Sequence, residues 1–419
     1  MNAVERLISE KVKDGREFSK DDLDKITTGF MKEIISPQHS SAFILSQHYS
    51  KWKLDEIEAM ARSFAESGQI LDFELPCYSK HSVGGVPGNK ITLLIVPILA
   101  AAGLLAPKTS THAITSASGT ADTMNVLAPI EFNPDEVIDL VKRTKGCIVS
   151  GDRMGIAPVV DKIIKSSAFQ LGIDPESLFM AGILAKKIAM GVQFMVLDVP
   201  IGTDKVATEE SGRALGRKFV DIAGRLNIKA EAGLTYARVP VGHTIGPLLE
   251  AAEALSALEG RGPTSLVEKS CELAGIVFEL AGLTPRGLGK DYASDLLKSG
   301  KALDKMREII ENQGGNPDIT PEMLRERLQD RPVLKFRAPS DGWPVAWSNY
   351  ALQEIARTAG APADPLAGIE ICVKKESVKK GEEVFRVYGS SSKSLDEVQG
   401  MIAKMRPVTI ESVLLERVG

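Results

Sequence analysis

Apolar residues in the first 68 positions recur at helical spacing, without the strict alternation that marks a strand. Ser19 followed by Asp22 matches the capping box found at helix starts, so a helix is predicted over residues 23–35, with Pro37 ending it. Further helical segments follow through Phe64. The chain is therefore expected to begin with a small all-helical unit.

At about residue 69 the pattern changes, and short apolar runs begin to alternate with helical stretches. Strands are predicted at 70–75, 108–114, 147–149 and 194–199, and a long helix at 208–226. This alternation is typical of an α/β layer with a largely parallel sheet. Residues 158–192 interrupt the alternation as helices, which we expect to return and pack on the first helical unit.

Residues 91–105 are almost wholly apolar. The run is shorter than the ~20 residues that a membrane span requires, contains Pro97 and lies between Lys90 and Lys108. A buried helix is therefore the better interpretation.

Beyond Arg331 the pattern becomes one of short strands, predicted at 333–336, 369–373 and 383–388 and separated by turn residues. The run of residues 314–317, Gly-Gly-Asn-Pro, is typical of a loop or a boundary between units. The pattern favours an α+β region at the C-terminal end.

Length and composition narrow the class of protein. A chain of 419 residues exceeds one ordinary core, so two or three domains are expected. A net charge of −4 gives no sign of a nucleic-acid partner. The four cysteines lie far apart without a C-x-x-C pair, and no secretory signal is visible. Reduced thiols in the cytoplasm are expected, rather than disulfides or a metal site.

The most informative motif is the glycine-rich turn at residues 80–92. Lys80 supplies a charge, Ser82 and Thr92 can donate hydrogen bonds, and glycines such as Gly88 let backbone N–H groups approach an anion. The order of residues is not that of the nucleotide-triphosphate loop, because the lysine precedes the glycines. The sequence favours a phosphate site here; the alternative is a plain Gly/Pro turn into a buried helix.

A loop rich in small hydroxyl residues follows the next predicted strand. Such a loop at the carboxyl end of a parallel strand suits phosphate or ribose, although a loop that caps itself would have the same composition. The candidate ligand-binding residues in this loop are Ser116, Ala117, Ser118, Gly119, Thr120, Ala121 and Thr123.

Further candidates lie near the predicted helices of 158–192 and after the strand at 194–199. Asp174 precedes Pro175, which could make it either a functional acid or a helix N-cap. Lys186 and Lys187 are adjacent and cannot share a helix face, so one of them could point into a cleft. Lys205 follows a strand and is another candidate anion ligand.

Together these motifs resemble the thymidine phosphorylase and pyrimidine nucleoside phosphorylase family over nearly the whole chain. The matching segments are Lys80-His81-Ser82-Val83-Gly84-Gly85, Gly119-Thr120-Ala121-Asp122 and Ile183-Leu184-Ala185-Lys186-Lys187. The longer runs at 80–90 and 115–124 are most similar to its AMP phosphorylase branch. Archaeal members of that branch carry an extra N-terminal domain, which this chain is expected to lack.

The resemblance implies a small helical domain and a large mixed α/β domain with the active site in the cleft between them, and a homodimer formed through the helical domain. The corresponding division is 1–68 with 158–192, then 69–157 with 193–330, and a C-terminal α+β region at 331–419. Phosphate would contact residues such as Lys80, Ser82, Thr92 and Thr120. Base and sugar would lie near 116–119, Thr123, Asp174, Gly182 and Lys186.

The reaction that the resemblance implies is phosphorolysis of an N-glycosidic bond, with inorganic phosphate as co-substrate and no cofactor. His81 would serve the departing base in the pyrimidine branch, whereas an aspartate matching Asp174 does so in the AMP phosphorylase branch. A carboxylic acid suits protonation of a purine, so a nucleoside 5′-monophosphate is favoured, with AMP first and CMP or UMP also considered. Lys205 is the first candidate for the 5′-phosphate.

This chain departs from the family pattern at several positions. Gly182 stands where the family has a serine that contacts the base, His112 and Asn125 stand where it has arginine and glutamate, and residues 166–167 are serines where it has arginine. The alternatives are therefore a nucleoside phosphorylase that gives ribose 1-phosphate and a non-catalytic phosphate–sugar binder.

Overall fold

The computed structural model describes residues 1–50, 52–113, 116–165, 173, 175–203, 205–373, 377–412 and 414. It has a mixed α/β architecture, which confirms the predicted fold class. None of the helices in these ranges is long and apolar enough to cross a membrane.

The chain begins with helices, as predicted. They are α1 (Ala3–Asp14), α2 (Lys20–Met31), α3 (Pro37–Tyr49) and α4 (Leu54–Ala65). The capping box of Ser19 and Asp22 is present at the start of α2. That helix ends earlier than predicted, at Met31, and Pro37 begins α3, where a proline is favoured because the first helical N–H has no partner.

The central sheet is parallel, with strand order β1-β4-β5. A second parallel pair, β2 and β3, adjoins β1 through a bridge between Cys77 and Leu105. The strands are β1 (Cys77–Ser82), β2 (Ala106–Ser110), β3 (Gly146–Ser150), β4 (Val192–Ile201) and β5 (Lys229–Tyr236). The helices among them are α5 (Thr92–Ala101), α6 (Thr120–Asn125), α7 (Pro134–Thr144), α8 (Pro158–Ile164), α9 (Glu176–Ala189) and α10 (Glu209–Arg225).

The remaining chain adds helices behind the sheet and then the α+β region. The elements up to α15 are β6 (Thr244–Ile245), α11 (Pro247–Leu258), α12 (Thr264–Leu280), α13 (Gly289–Lys298), α14 (Lys301–Asn312) and α15 (Pro321–Glu326). The last are β7 (Val333–Arg337), β8 (Trp343–Trp347), α16 (Asn349–Ala359), β9 (Gly368–Ile371), β10 (Glu383–Tyr388), α17 (Ser392–Met405) and β11 (Val408–Glu411). An antiparallel sheet has the order β6-β9-β10-β7, and β8 pairs with β11.

The predicted strand at 70–75 is wrong, because the strand begins only after Pro76, at Cys77. Ile70 and Leu75 are exposed, and the segment is held instead by a bond from the Leu71 N–H to the Ala189 carbonyl. The predictions for 147–149, 194–199, 208–226 and 383–388 are confirmed to within a few residues. Helices α16 and α17 lie between the strands of the C-terminal region and were not predicted from its sequence pattern.

The apolar run at 91–105 contains a buried helix, as predicted. Residues 92–100 of α5 are all buried, including Pro97. Around α5 lies a core that includes the inner faces of α11, α12 and α14. A second core joins the N-terminal helices to α8, α9 and the central sheet, so these two helices of the segment 158–192 do pack on α2 and α4, as predicted. The division into domains stays a prediction.

A buried ion pair fastens the glycine-rich turn to this core. The Lys90 ammonium is fully buried and pairs with the Glu253 carboxylate of α11. It also donates to the carbonyls of Val241 and Thr244, at 3.1 and 3.0 Å. Lys90 therefore joins the turn that follows β1 to Val241 and to Thr244, the first residue of β6.

Replacing Lys90 with methionine should leave the Glu253 carboxylate buried without its cation, at a cost of about 3–5 kcal/mol. The thermal midpoint should fall by several degrees in a calorimetric or fluorescence melt. Lys25→Met is a matched control, because the Lys25–Asp21 pair is exposed on both sides and should contribute less than about 1 kcal/mol. Equal midpoints for the two variants would show that the buried pair does not hold the turn.

Candidate active site

Lys80, His81 and Ser82 lie at the carboxyl end of β1, directly beside β4. This is the edge of a parallel sheet at which α/β proteins bind ligands. Opposite Ser82 on β4 is Asp198, which is fully buried. Asp198 accepts hydrogen bonds from the hydroxyls of Ser82 and Thr235, both at 2.6 Å, and so joins the ends of the β1, β4 and β5 strands.

The Asp198 carboxylate stays ionised despite its burial. Burial by itself raises its pKa, but the ammonium of Lys269 at 3.1 Å, the charge of Lys80 and the two hydroxyl bonds outweigh that effect. The net pKa therefore lies below the usual range of an aspartate. An ionised carboxylate is therefore close enough to Lys80 to attract its ammonium.

Near Asp198 the structure gathers the amines of Lys80, Lys108 and Lys187, whose positive charges repel one another. Burial, opposed by Asp198 and reinforced by Lys269 and Lys108, lowers the pKa of Lys80 to about 7. Burial and the charge of Lys80 likewise lower the pKa of Lys187 to about 7. Burial, Lys187 and Lys186 hold the pKa of Lys108 well below its usual value. A bound anion would relieve the repulsion among these amines, so the cluster has the electrostatics of an anion site.

Hydrogen bonds orient these amines. The Lys80 ammonium donates to the Thr92 hydroxyl at 3.4 Å, and the Lys187 ammonium donates to the Ser79 hydroxyl at 2.7 Å. Lys186 forms an ion pair with Asp161 at 2.8 Å. The two adjacent lysines of α9 therefore have different partners, as their spacing on a helix requires.

Two cavities meet at this cluster. The apolar cavity, of about 310 Å³, is lined mainly by side chains of α8 and α9, among them Val160, Ile163, Leu178 and Ile183. The polar cavity, of about 650 Å³, lies over the glycine-rich turn. His81, Lys108 and Ser110 line both cavities. The volumes are in the range of small-ligand sites, and their arrangement suits a ligand with one flat apolar part and one anionic part.

The structure brings most of the sequence-predicted residues to these cavities. Those that line the polar cavity are Lys80, His81, Ser82, Thr92, Ser116, Ser118, Gly119, Thr120, Thr123 and Lys205. Gly182 and Lys186 line the apolar cavity, together with His81. Asp174 lies outside the described residues. Contact of each residue with a ligand stays a prediction.

Gly88, Ala117 and Ala121 lie behind the walls of the cavities rather than in them. Gly88 is buried with φ +71°, and a Cβ there would lie 2.5 Å from the Thr244 carbonyl oxygen. Its freedom from a side chain therefore serves the close approach of the turn to the segment before β6. Ala117 and Ala121 are buried in apolar clusters.

Loop 116–123 is held by its own hydrogen bonds. Asp122 accepts bonds from the backbone N–H groups of Ala113 and Gly119, both at 2.8 Å, and its other oxygen pairs with His112 at 2.6 Å. The hydroxyls of Ser118 and Thr123 are 2.9 Å apart. Self-capping and ligand binding are compatible here, because the same loop also faces the polar cavity.

His81 is held neutral. Burial is the largest cause, and the charges of Lys187, Lys108, Lys80 and Lys186 add to it, so its pKa lies well below the usual value for histidine. Its ring meets Phe179 edge to face, at 6.5 Å between centroids. A neutral imidazole at the junction of the cavities can donate a hydrogen bond but carries no positive charge.

Sequence reasoning missed several residues of the site. Lys108 and Asp198 lie in strands and Lys269 in a helix, so their patterns indicated only secondary structure. One signal was present, namely an aspartate within the apolar run of β4. Arg238 and the residues at the start of α16 also line the polar cavity, and only the tertiary structure brings them there.

Comparisons with known proteins find related sequences over nearly the whole chain. A model described as "Glycosyl transferase family, a/b domain" matches residues 76–167, which contain β1, the glycine-rich turn and loop 116–123. AMP phosphorylase of Methanospirillum hungatei is 43% identical over 412 residues, 97% of this chain and 79% of that protein. AMP phosphorylases of Thermococcus kodakarensis and Hyperthermus butylicus are 42% and 44% identical over 99% and 90% of this chain, and 82% and 75% of their own lengths.

A solved structure also shares the fold. Anthranilate phosphoribosyltransferase from Thermus thermophilus superposes with a TM-score of 0.62 over 75% of this chain and 99% of its own. Its sequence identity of 20% supports the fold alone.

Binding of inorganic phosphate at pH 8.5 should be accompanied by proton uptake, on the order of one proton per phosphate. With pKa values of about 7, Lys80 and Lys187 are mostly neutral at this pH, and a bound anion favours their protonated forms. Phosphate affinity should accordingly fall as the pH rises from 7 to 9. Titration calorimetry in buffers of different ionisation enthalpy measures the uptake.

Lys80→Met should reduce the proton uptake, because it removes one of the titrating amines. Lys218→Met is the matched control, since Lys218 is paired with Glu176 at the surface and should leave the uptake unchanged. Phosphate binding without proton uptake at pH 8.5 would contradict the role given to the amine cluster.

Proposed function

The chain belongs to the AMP phosphorylase family, and from that premise we propose that it cleaves the N-glycosidic bond of a nucleoside 5′-monophosphate with inorganic phosphate. AMP is the first candidate, and CMP and UMP are others. The products are the free base and ribose 1,5-bisphosphate, which makes the protein a pentosyltransferase.

The observation that carries this proposal is the amine cluster at the junction of the two cavities. Lys80, Lys108 and Lys187 have lowered pKa values, so the site favours an anion. Beside them, the apolar cavity offers a surface suited to a flat base. A phosphorylase needs both, because its nucleophile is an anion and its leaving group is an aromatic heterocycle.

In the proposed reaction, a phosphate oxygen forms a bond to C1′ as the C1′–N bond breaks. The electron pair of the broken bond goes to the ring nitrogen of the base. In the transition state both bonds to C1′ are partial, so the sugar has oxocarbenium-like character. Lys80, Thr92 and Thr120 are proposed to hold the attacking phosphate in line, with Lys108 and Lys187 supplying charge. Positioning and electrostatics of this kind account for large parts of enzymatic rate enhancement.

The departing base needs a proton or a strong hydrogen-bond donor, a role worth about 10²–10⁴-fold in rate. We assign the proton to Asp174, as the sequence favoured, with neutral His81 as a hydrogen-bond donor near C1′. Lys186, held by Asp161 at the apolar cavity, is proposed to contact the base or sugar. Ser116, Ser118 and Thr123 are proposed to face the ribose.

Lys205 is proposed to bind the 5′-phosphate of the substrate. It follows β4, lines the polar cavity, and its ammonium lies over the Phe179 ring, 5.5 Å from the centroid. That ring also lines the apolar cavity, so Lys205 is close to both parts of the site. A homodimer, a cytoplasmic location and the lack of a cofactor stay predictions.

The direct test follows phosphate-dependent release of free base from AMP, CMP, UMP and GMP and from the matching nucleosides. We expect AMP to be cleaved faster than adenosine. No base release from any of these compounds would contradict phosphorolysis, and faster turnover of adenosine would instead favour a nucleoside phosphorylase.

Lys80→Ala should raise the KM for phosphate about 10-fold or more, because a charge-assisted contact to the anion is lost, whereas Lys218→Ala should not.

Asp174→Asn should lower kcat about 10²-fold or more while changing the KM for AMP far less, because the amide cannot donate the proton that the base requires. Glu176→Gln is the matched control, a neighbouring carboxylate that pairs with Lys218 at the surface and should retain near wild-type kcat. Equal activity of the two variants would reduce Asp174 to a helix cap.

A further inference from the structure

Arg238 follows β5 and lines the polar cavity. Lys80 lies on β1, which β4 separates from β5 in the sheet. The chain around it can be traced by contacts. A Cβ on Gly85 of the glycine-rich turn would lie 3.3 Å from the Thr203 Cβ. A Cβ on Gly202 would lie 3.5 Å from the backbone nitrogen of Arg238. The loops after β1, β4 and β5 are therefore neighbours in that order along the cavity.

Gly202 determines where the side chain of Arg238 can lie. Gly202 has φ +97°, and a Cβ there would be 2.5 Å from the Cγ of Arg238. Only a glycine leaves room for the arginine stem in this position. The stem thus packs over the backbone of the loop that follows β4.

The guanidinium of Arg238 has no protein partner in the described part of the chain, neither a hydrogen bond nor an ion pair. Arg213, which lines a neighbouring surface depression together with Arg238, forms an ion pair with Glu209. A guanidinium on a cavity wall that bonds to none of the described residues has donors available for a fork-shaped contact with a phosphate.

The C-terminal region contributes a wall of the cavity next to Arg238. The Asn349 side chain, at the start of α16, donates to the carbonyl of Ala237 at 2.8 Å, directly before Arg238. Ser348 caps the helix by accepting from the Ala351 N–H, and Trp347 and Tyr350 also line the cavity. This wall is bonded to the residue directly before Arg238, so the start of α16 lies next to Arg238, whose side chain is itself exposed and open to a ligand.

The proposed product carries a phosphate at each end of one ribose. The amine cluster around Lys80 serves the phosphate that attacks C1′, so the 5′-phosphate needs further cations on the same cavity, and Arg238 lines it together with Lys205. We infer that Arg238 binds the 5′-phosphate of the substrate and that this contact makes the enzyme prefer nucleotides to nucleosides. The inference rests on the proposed function and adds a specificity residue to it.

The test compares Arg238→Gln, Arg238→Lys and the control Arg213→Gln with the wild-type protein. The ratio of kcat/KM for AMP to that for adenosine should fall about 10-fold or more in Arg238→Gln, as expected for loss of a charge-assisted contact. For Arg238→Lys this ratio should lie between those of the wild type and Arg238→Gln, because an ammonium keeps the charge but cannot make the two-pronged contact of a guanidinium. Arg213→Gln should keep the wild-type ratio, and all variants should keep the wild-type KM for phosphate.

A binding measurement makes the test independent of turnover. Calorimetric titration with AMP should show about 10-fold weaker binding to Arg238→Gln, with adenosine affinity changed no more than twofold. Equal losses for AMP and adenosine, or an unchanged AMP affinity, would overturn the role of Arg238. Wild-type protein that binds AMP but releases no adenine would instead contradict the proposed function, while the two affinities would still decide on Arg238.

Discussion

The buried carboxylate of Asp198 is the constraint on which the site depends. It lies in the middle strand of the parallel sheet and accepts bonds from Ser82 and Thr235 on the strands at either side. A buried charge of this kind is tolerated only when cations and donors surround it, and Lys269 and Lys80 supply the positive charge. The carboxylate that joins the strand ends therefore also attracts the lysine that lines the polar cavity.

The positive charge around Asp198 exceeds what one carboxylate can balance. Lys108 and Lys187 add amines whose charge is disfavoured by burial and by one another. The protein thus holds a site whose amines gain most when an anion enters, and it places an apolar cavity directly beside it. In a phosphorylase, this proximity puts the nucleophile and the leaving group on the two sides of one sugar carbon.

Local sequence patterns predicted those parts of the site that one segment can encode. Lys80, Ser82 and Thr92 lie within one strand–turn–helix unit, and loop 116–123 within the next, so their spacing already placed them at a strand end. Contact of Gly88 with phosphate stays a prediction, and the structure adds that its lack of a side chain allows the close approach to residues 241–244. Nothing local to a glycine shows which neighbour requires it.

The sequence by itself determined the α/β class, the buried helix α5, the glycine-rich turn and the family, because each depends on periodicity or on contiguous motifs. The tertiary structure alone decided that Asp198 and Lys269 meet, that Lys108 joins Lys80 and Lys187, and that the start of α16 lines the cavity beside Arg238. These residues are far apart along the chain. Their charges interact strongly only when folding brings them close together and burial removes the water that would screen them.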